Sequence, residues 1–162
     1  MPNNVGDTEF WKVRLKEAWR IGELHKSVYN TIKEDWEFIC KVHKTICDRI
    51  IIGKVLDVGC GYGRLSEWFR DDYSGIDFSE DFIKKAKELY PRKEFIQGDI
   101  KDMPYVDKEF DWAVCISIKE MVERELGLDV WQEMKKEIMR VAKKVLVLEY
   151  SNPAVYTTYE EV

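Results

Sequence analysis

Little in this chain points toward a metal, a membrane or a polyanion. Its 162 residues include only four cysteines and two histidines. Cys40, Cys47, Cys60 and Cys115 form no Cys-x-x-Cys pair that the histidines could complete, so the spacing of a zinc site is absent and reduced thiols are expected. No apolar run approaches the length that crosses a bilayer. Residues 1–7 lack the basic-then-apolar order of an export signal, and a cytoplasmic protein is expected. The formal charge of −5 argues against a surface built for nucleic acid, leaving only a local basic patch open. Repeats, low-complexity tracts and flexible linkers are also missing. One folded unit over residues 1–162 is therefore expected, and an apolar fraction of 45% suffices to give it a core.

What is present is concentrated at Val55-Leu56-Asp57-Val58-Gly59-Cys60-Gly61-Tyr62-Gly63-Arg64. An apolar run meets a carboxylate, and glycines follow at alternate positions. That pattern predicts a strand feeding a tight turn whose backbone approaches a ligand, since glycine reaches positive φ and carries no Cβ. Leu65 to Phe69 read as the helix that follows, with its N–H groups toward the same ligand. The dinucleotide fingerprint G-x-G-x-x-G does not fit, because Arg64 stands where its third glycine belongs.

The rest of the chain alternates helix and strand. Residues 1–50 read as a helical cover. One helix, capped by Asp7 or Thr8, turns Trp11, Leu15, Ala18 and Trp19 inward and breaks near Gly22. A second opens with the capping-box pattern Thr31-Ile32-Lys33-Glu34 and turns Ile32, Trp36, Ile39, His43, Ile46 and Ile50 inward. His43 is expected to be a buried, hydrogen-bonded packing residue. Strands are predicted at 54–58, 73–77, 94–97, 110–116 and 144–150. Helices are predicted from the Ser79 cap to Leu89, over 119–126, and from Asp129 onward. Phe82, Ile83, Ala86 and Leu89 face inward on the first of these, and Val130, Trp131, Met134, Ile138 and Val141 on the last. This alternation over residues 51–150 implies a mostly parallel sheet with helices on both faces, a three-layer αβα sandwich. Ligands of such sheets bind beyond the strand carboxyl ends at the switch point. Asp57, Asp77, Asp99 and Ile116 all fall at or just past those ends.

Together these segments resemble the class I S-adenosylmethionine (SAM)-dependent methyltransferases over roughly residues 50–150. The resemblance implies SAM as cofactor, S-adenosylhomocysteine as product, and transfer of the sulfonium methyl to a nucleophilic atom. It implies that the turn carrying Asp57, Gly59, Cys60, Gly61 and Gly63 holds the methionine portion. Asp77 would accept from the ribose hydroxyls, Phe78 would lie on the adenine, and Asp99 would accept from the adenine amino group with Ile100 beside it. Ile116 would pack on the cofactor and open onto the acceptor site, and Tyr29 would reach the SAM carboxylate. Bland readings stand beside these: Asp77 as a helix cap, Asp99 as half of a Gly-Asp turn, Cys60 as a small turn residue, and Arg64 on a helix surface.

An already activated methyl needs alignment more than acid–base chemistry, so no fixed catalytic residue is dictated. Glu120, just after the fourth strand, and His25, in an inter-helix loop, are the candidates for a base. An exposed helix-start glutamate and a surface histidine are their alternatives. The motifs of DNA-base methyltransferases are missing after the fourth strand, where the chain reads Ile116-Ser117-Ile118-Lys119. A small-molecule acceptor leads and DNA bases are disfavoured, with a protein or RNA acceptor left open. The family adds an antiparallel hairpin after the fifth strand, and residues 151–162 are too few for it. One further strand at 154–159 fits, which would leave the sheet edge open to a second copy or a partner protein. A SAM-using enzyme of different chemistry, or a non-catalytic subunit on this fold, are the competing functions.

Overall fold

A computed structural model describes residues 8–27, 33–69, 72–151 and 154–161. Helix α1 (Thr8–Arg20) is followed by a short 3-10 helix (Leu24–Ser27), α2 (Lys33–Ile50), β1 (Val55–Val58), β2 (Tyr73–Asp77) and α3 (Glu80–Leu89). Next come β3 (Glu94–Gln97), β4 (Phe110–Ile116), α4 (Lys119–Glu125), α5 (Leu128–Val141), β5 (Ala142–Ser151) and β6 (Ala154–Glu161). The sheet order is β3-β2-β1-β4-β5-β6. The first five strands pair in parallel, and β6 pairs antiparallel to β5 from Ser151↔Ala154 to Lys144↔Glu161. The chain winds outward from β1 to β3 and then returns to β4 on the other side of β1. The switch point therefore lies between β1 and β4.

Alternation along the strands divides the core into two halves, as a doubly covered sheet requires. Leu56, Val58, Ala113, Cys115, Val145 and Val147 face one layer, where Val122, Trp131, Ile138 and Val141 of α4 and α5 meet them. Val55, Trp112, Val114, Leu146 and Leu148 face the other, with Ile83 and Ala86 of α3 and Cys47 of α2. A third cluster joins Trp11 and Leu15 of α1 to Tyr62 and Phe82 above the first turn. At the end of α1, Gly22 (φ 72) lets its own N–H reach the Trp19 carbonyl and the Glu23 N–H reach the Ala18 carbonyl. This is a Schellman stop, and it explains why the helix ends where glycine occurs.

Several expectations are corrected. Residues 61–69 form a chain of tight turns rather than a helix, with Gly63 N–H to Cys60 O, Ser66 N–H to Gly63 O and Trp68 N–H to Leu65 O. Positive φ at both Gly61 and Gly63 keeps the first of these turns out of right-handed helical geometry. Trp19 and Leu89 are exposed, at 53% and 38%; Trp19 instead lies under the Lys85 ammonium, 3.5 Å from its ring centroid. His43 is fully buried, but neither ring nitrogen has a hydrogen-bond partner among the described residues. Burial and the nearby Arg64 charge hold its pKa down at about 3, so it is neutral. The single further strand expected after β5 is present and pairs with it along its length, which makes β6 the terminal strand on that side of the sheet. The capping positions before α1 and α2, including Asp7, Thr31 and Ile32, lie outside the described residues. Among the described residues no helix is long and apolar enough to cross a membrane, and no cluster of ligating side chains fit to hold a metal occurs.

Candidate functional site at the sheet switch point

A cavity of about 550 Å³ opens over the carboxyl ends of β1, β2 and β4. Its first wall is the turn after β1. The Gly59 and Cys60 N–H groups both donate to the Ile76 carbonyl, at 2.8 and 3.0 Å, which ties the turn to β2. Gly59 and Gly61 adopt positive φ (69 and 54), and both line the cavity. Gly63 (φ 80) does not line it: a Cβ there would stand 2.6 Å from Cζ of Phe95. The third glycine of the motif therefore lets the turn lie against β3.

Two buried carboxylates fix the turn. Asp57 lines the cavity and accepts from the Tyr73 hydroxyl at 2.7 Å. Burial pushes its pKa up to about 6, against the pull of the Tyr73 hydrogen bond and the Arg64 charge. Asp77 accepts the Gly61 N–H on Oδ2 and the Ser79 N–H on Oδ1, each at 2.9 Å. Burial raises it to about 6 as well, with those two N–H groups opposing. Asp77 is thus the clamp between the glycine turn and the start of α3, while Ser79 is the N-cap of α3, accepting the Phe82 N–H. Each Asp77 oxygen keeps a second lone pair, and the residue borders the cavity.

Phe78, Asp99, Ile100 and Ile116 also line the cavity, as does Cys60. The Cys60 thiol is buried and pushed far above its ordinary pKa by that burial and by Asp77 and Asp57, so it is no nucleophile. Asp99 is solvent-exposed, and its Oδ1 accepts the Lys101 N–H at 2.9 Å. Tyr29 lies outside the described residues. Neither candidate base reaches the cavity wall. His25 is buried in the 3-10 helix, its ring stacked on Trp36 with centroids 5.7 Å apart. Glu120 is exposed.

Sequence reasoning missed two features. The first is Glu149, buried near the end of β5, whose Oε1 accepts the Lys119 N–H at 2.8 Å. Burial raises its pKa to about 7, against backbone N–H donors of Lys119, Glu120 and Ile118, with Glu120 adding repulsion. It caps α4 from across the sheet, a partnership thirty residues apart in sequence. The second is the apolar wall made by Ile118, Met121, Val122, Leu126, Val130 and Met134. The inward faces of α4 and α5 signalled helix packing, and their spacing alone does not distinguish a core from a cavity wall. Between these features, Ser117 takes a left-handed backbone (φ 59) and donates its N–H to the Leu148 carbonyl at 2.8 Å. The residue lines the cavity, while its hydroxyl is buried and has no partner among the described residues.

Residues 55–145 match the family described as methyltransferase domain. The chain is 38% identical over 121 residues to a demethylmenaquinone methyltransferase of Renibacterium salmoninarum, covering 65% of this chain and 47% of that one. It is 34% identical over 90 residues to a fatty-acid O-methyltransferase of Mycolicibacterium smegmatis, covering 51% and 33%. The solved structure of the PH0226 protein from Pyrococcus horikoshii OT3 superposes with a TM-score of 0.59 at 30% identity, covering 74% of this chain and 59% of that one. The chain thus spans less than half the length of the two named relatives.

Proposed function

This chain belongs to the methyltransferase domain family, and on that premise we propose that it transfers the methyl group of SAM to an apolar small-molecule acceptor. The observation that carries the reading is convergence: Asp57, Asp77, Asp99 and Ile116 come from four different strand ends and border one cavity. The residues fit the cofactor. Asp77 is a buried acceptor with lone pairs to spare for two ribose hydroxyls, and Phe78 and Ile100 offer apolar surfaces for the adenine. The glycine turn leaves room for the methionine chain. When bound, SAM supplies a methyl on a positively charged sulfur, a leaving group that needs no protonation.

The protein's part is then to orient and to exclude water. Ile116 and the wall from Met121 to Met134 form a dry surface that favours an apolar acceptor body. The names of the two relatives, one acting on demethylmenaquinone and one on fatty acids, support an apolar acceptor class. His25 and Glu120 have no place in this mechanism, because neither borders the cavity.

Calorimetry with S-adenosylhomocysteine tests the reading. The parent should bind it, and Asp77→Asn should weaken binding about tenfold or more, as a hydrogen bond to a charged group is lost. A parent chain that takes up no adenosyl ligand would falsify the assignment. Turnover follows from S-adenosylhomocysteine release in the presence of long-chain quinols or fatty acids.

A further inference from the structure

We propose that Arg64 is a carboxylate-recognition site in the wall of this cavity. The inference rests on the methyl-transfer reading above and goes beyond it, since that reading needs no cation. Arg64 follows the glycine turn directly and lines the cavity. Its guanidinium lies beside two indoles, with its central carbon 5.0 Å from the ring centroid of Trp36 and 5.5 Å from that of Trp68. Trp36 is in turn stacked on His25, which ties this aromatic contact to the 3-10 helix and α2. Contact with ring faces leaves a guanidinium's N–H donors available for an anion.

Those donors are almost unused. A guanidinium has five N–H groups, and the partner of Arg64 is the thiol of Cys40, at 3.9 Å from its Nη1. Among the described residues no carboxylate forms an ion pair with it, although the ion pairs elsewhere engage Arg20, Arg124 and Arg140. Asp57 feels the Arg64 charge, but its own hydrogen bond goes to Tyr73. A half-buried cation set beside two aromatic rings and left without an anion is unusual, because its partial desolvation goes uncompensated until an anion arrives. The planar fork matches a carboxylate with two parallel hydrogen bonds.

Two ligands bring a carboxylate to this cavity: the methionine end of the cofactor, and an acidic acceptor whose chain would lie on the apolar wall. Binding of S-adenosylhomocysteine, 5′-methylthioadenosine and decanoate to the parent and to Arg64→Met distinguishes them. Methylthioadenosine keeps the adenosyl thioether and lacks the amino acid. If the cofactor carboxylate is the partner, Arg64→Met loses about 10- to 100-fold in S-adenosylhomocysteine affinity and keeps that for methylthioadenosine. If the acceptor carboxylate is the partner, both adenosyl ligands bind as before, and decanoate binds the S-adenosylhomocysteine complex of the parent but not that of the variant. Unchanged binding of all three ligands, or equal loss of both adenosyl ligands, overturns the proposal. Arg64→Lys keeps the charge and loses the fork; should the methionine variant not fold, the same comparison applies to it, with a loss confined to one carboxylate ligand supporting the site. A parent that binds neither adenosyl ligand defeats the methyl-transfer reading first.

Discussion

Gly63 shows how one residue type serves different ends within five positions. Gly59 and Gly61 border the cavity, whereas Gly63 allows the turn to close on Phe95. A methyl group at Gly63 meets the rigid phenyl ring at 2.6 Å, with Tyr90 also at 3.2 Å, in a backbone with φ 80. Gly63→Ala is therefore expected to destabilise the fold by about 2–4 kcal/mol, combining overpacking with left-handed strain. The folded fraction should still bind S-adenosylhomocysteine with parent affinity. Urea unfolding monitored alongside calorimetry checks both; a stable variant that fails to bind would put Gly63 in the cofactor cradle after all. The sequence made all three glycines look equivalent, because their pattern encodes a backbone path and not which side of it faces a ligand. Asp77 was legible for a different reason: a carboxylate ending an apolar strand has few purposes other than a clamp or a ligand contact, and its geometry here suits both. Arg64 was not legible. Its indole partner Trp36 lies twenty-eight positions earlier on a helix whose docking no local pattern specifies.

At the scale of elements, the strands at 73–77, 94–97 and 110–116 stand where apolar content and flanking turn residues put them. Buried central strands such as 73–77 and 110–116 leave a strong signal. The stretch after Gly63 misled for a physical reason: Leu65, Trp68 and Phe69 have helical spacing, but the two left-handed glycines set the entry geometry and tertiary packing accepted a series of turns. The strand at 144–150 and the single strand after it at 154–159 were legible too, and the structure runs them as Ala142–Ser151 and Ala154–Glu161. The opaque feature here is long-range: Glu149 of β5 reaches the start of α4. Because α4 has only seven residues and Ile118, at its N-cap position, makes no side-chain capping bond, Glu149 is the group that satisfies its first N–H donors. Glu149→Ala should leave those donors stranded, lower stability by about 1–3 kcal/mol and speed amide exchange at Lys119 before that of β4. Exchange measured residue by residue reads this directly. Uniform acceleration across the sheet would mean that Glu149 supports the core as a whole and not the α4 turn.

For the molecule as a whole, buried ionisable groups couple cofactor binding to pH. Asp57 and Asp77, at about 6, and Glu149, at about 7, sit above ordinary carboxylate values. A raised carboxyl pKa means that the folded state holds the proton more tightly than the unfolded chain. The stability these groups contribute is therefore full below about pH 4 and lost as pH rises through 6 to 7. His43, held at about 3, works in the opposite sense: its contribution is present above its unfolded value near 6.5 and lost as pH falls below that value toward 3. Up to about pH 6.5 His43 offsets only one of the three carboxyl groups, so the ligand-free protein is expected to lose stability as pH rises from 5 to 7. Ligand binding adds a trend of the opposite sign. Both ribose hydroxyls find charged acceptors on Asp77 only when it is ionised, so adenosyl binding should strengthen about tenfold from pH 5 to pH 8, or about 1.4 kcal/mol. At a fixed excess of S-adenosylhomocysteine, the thermal shift at pH 8 should exceed that at pH 5 by about 3–6 °C. Asp77→Asn removes the titrating group and should flatten the difference while leaving the opposing contributions of His43 and Glu149 in place. Calorimetric melts at the two pH values, with and without ligand, measure it. A ligand-induced shift that is the same at both would mean that the ribose does not meet Asp77 in its charged form.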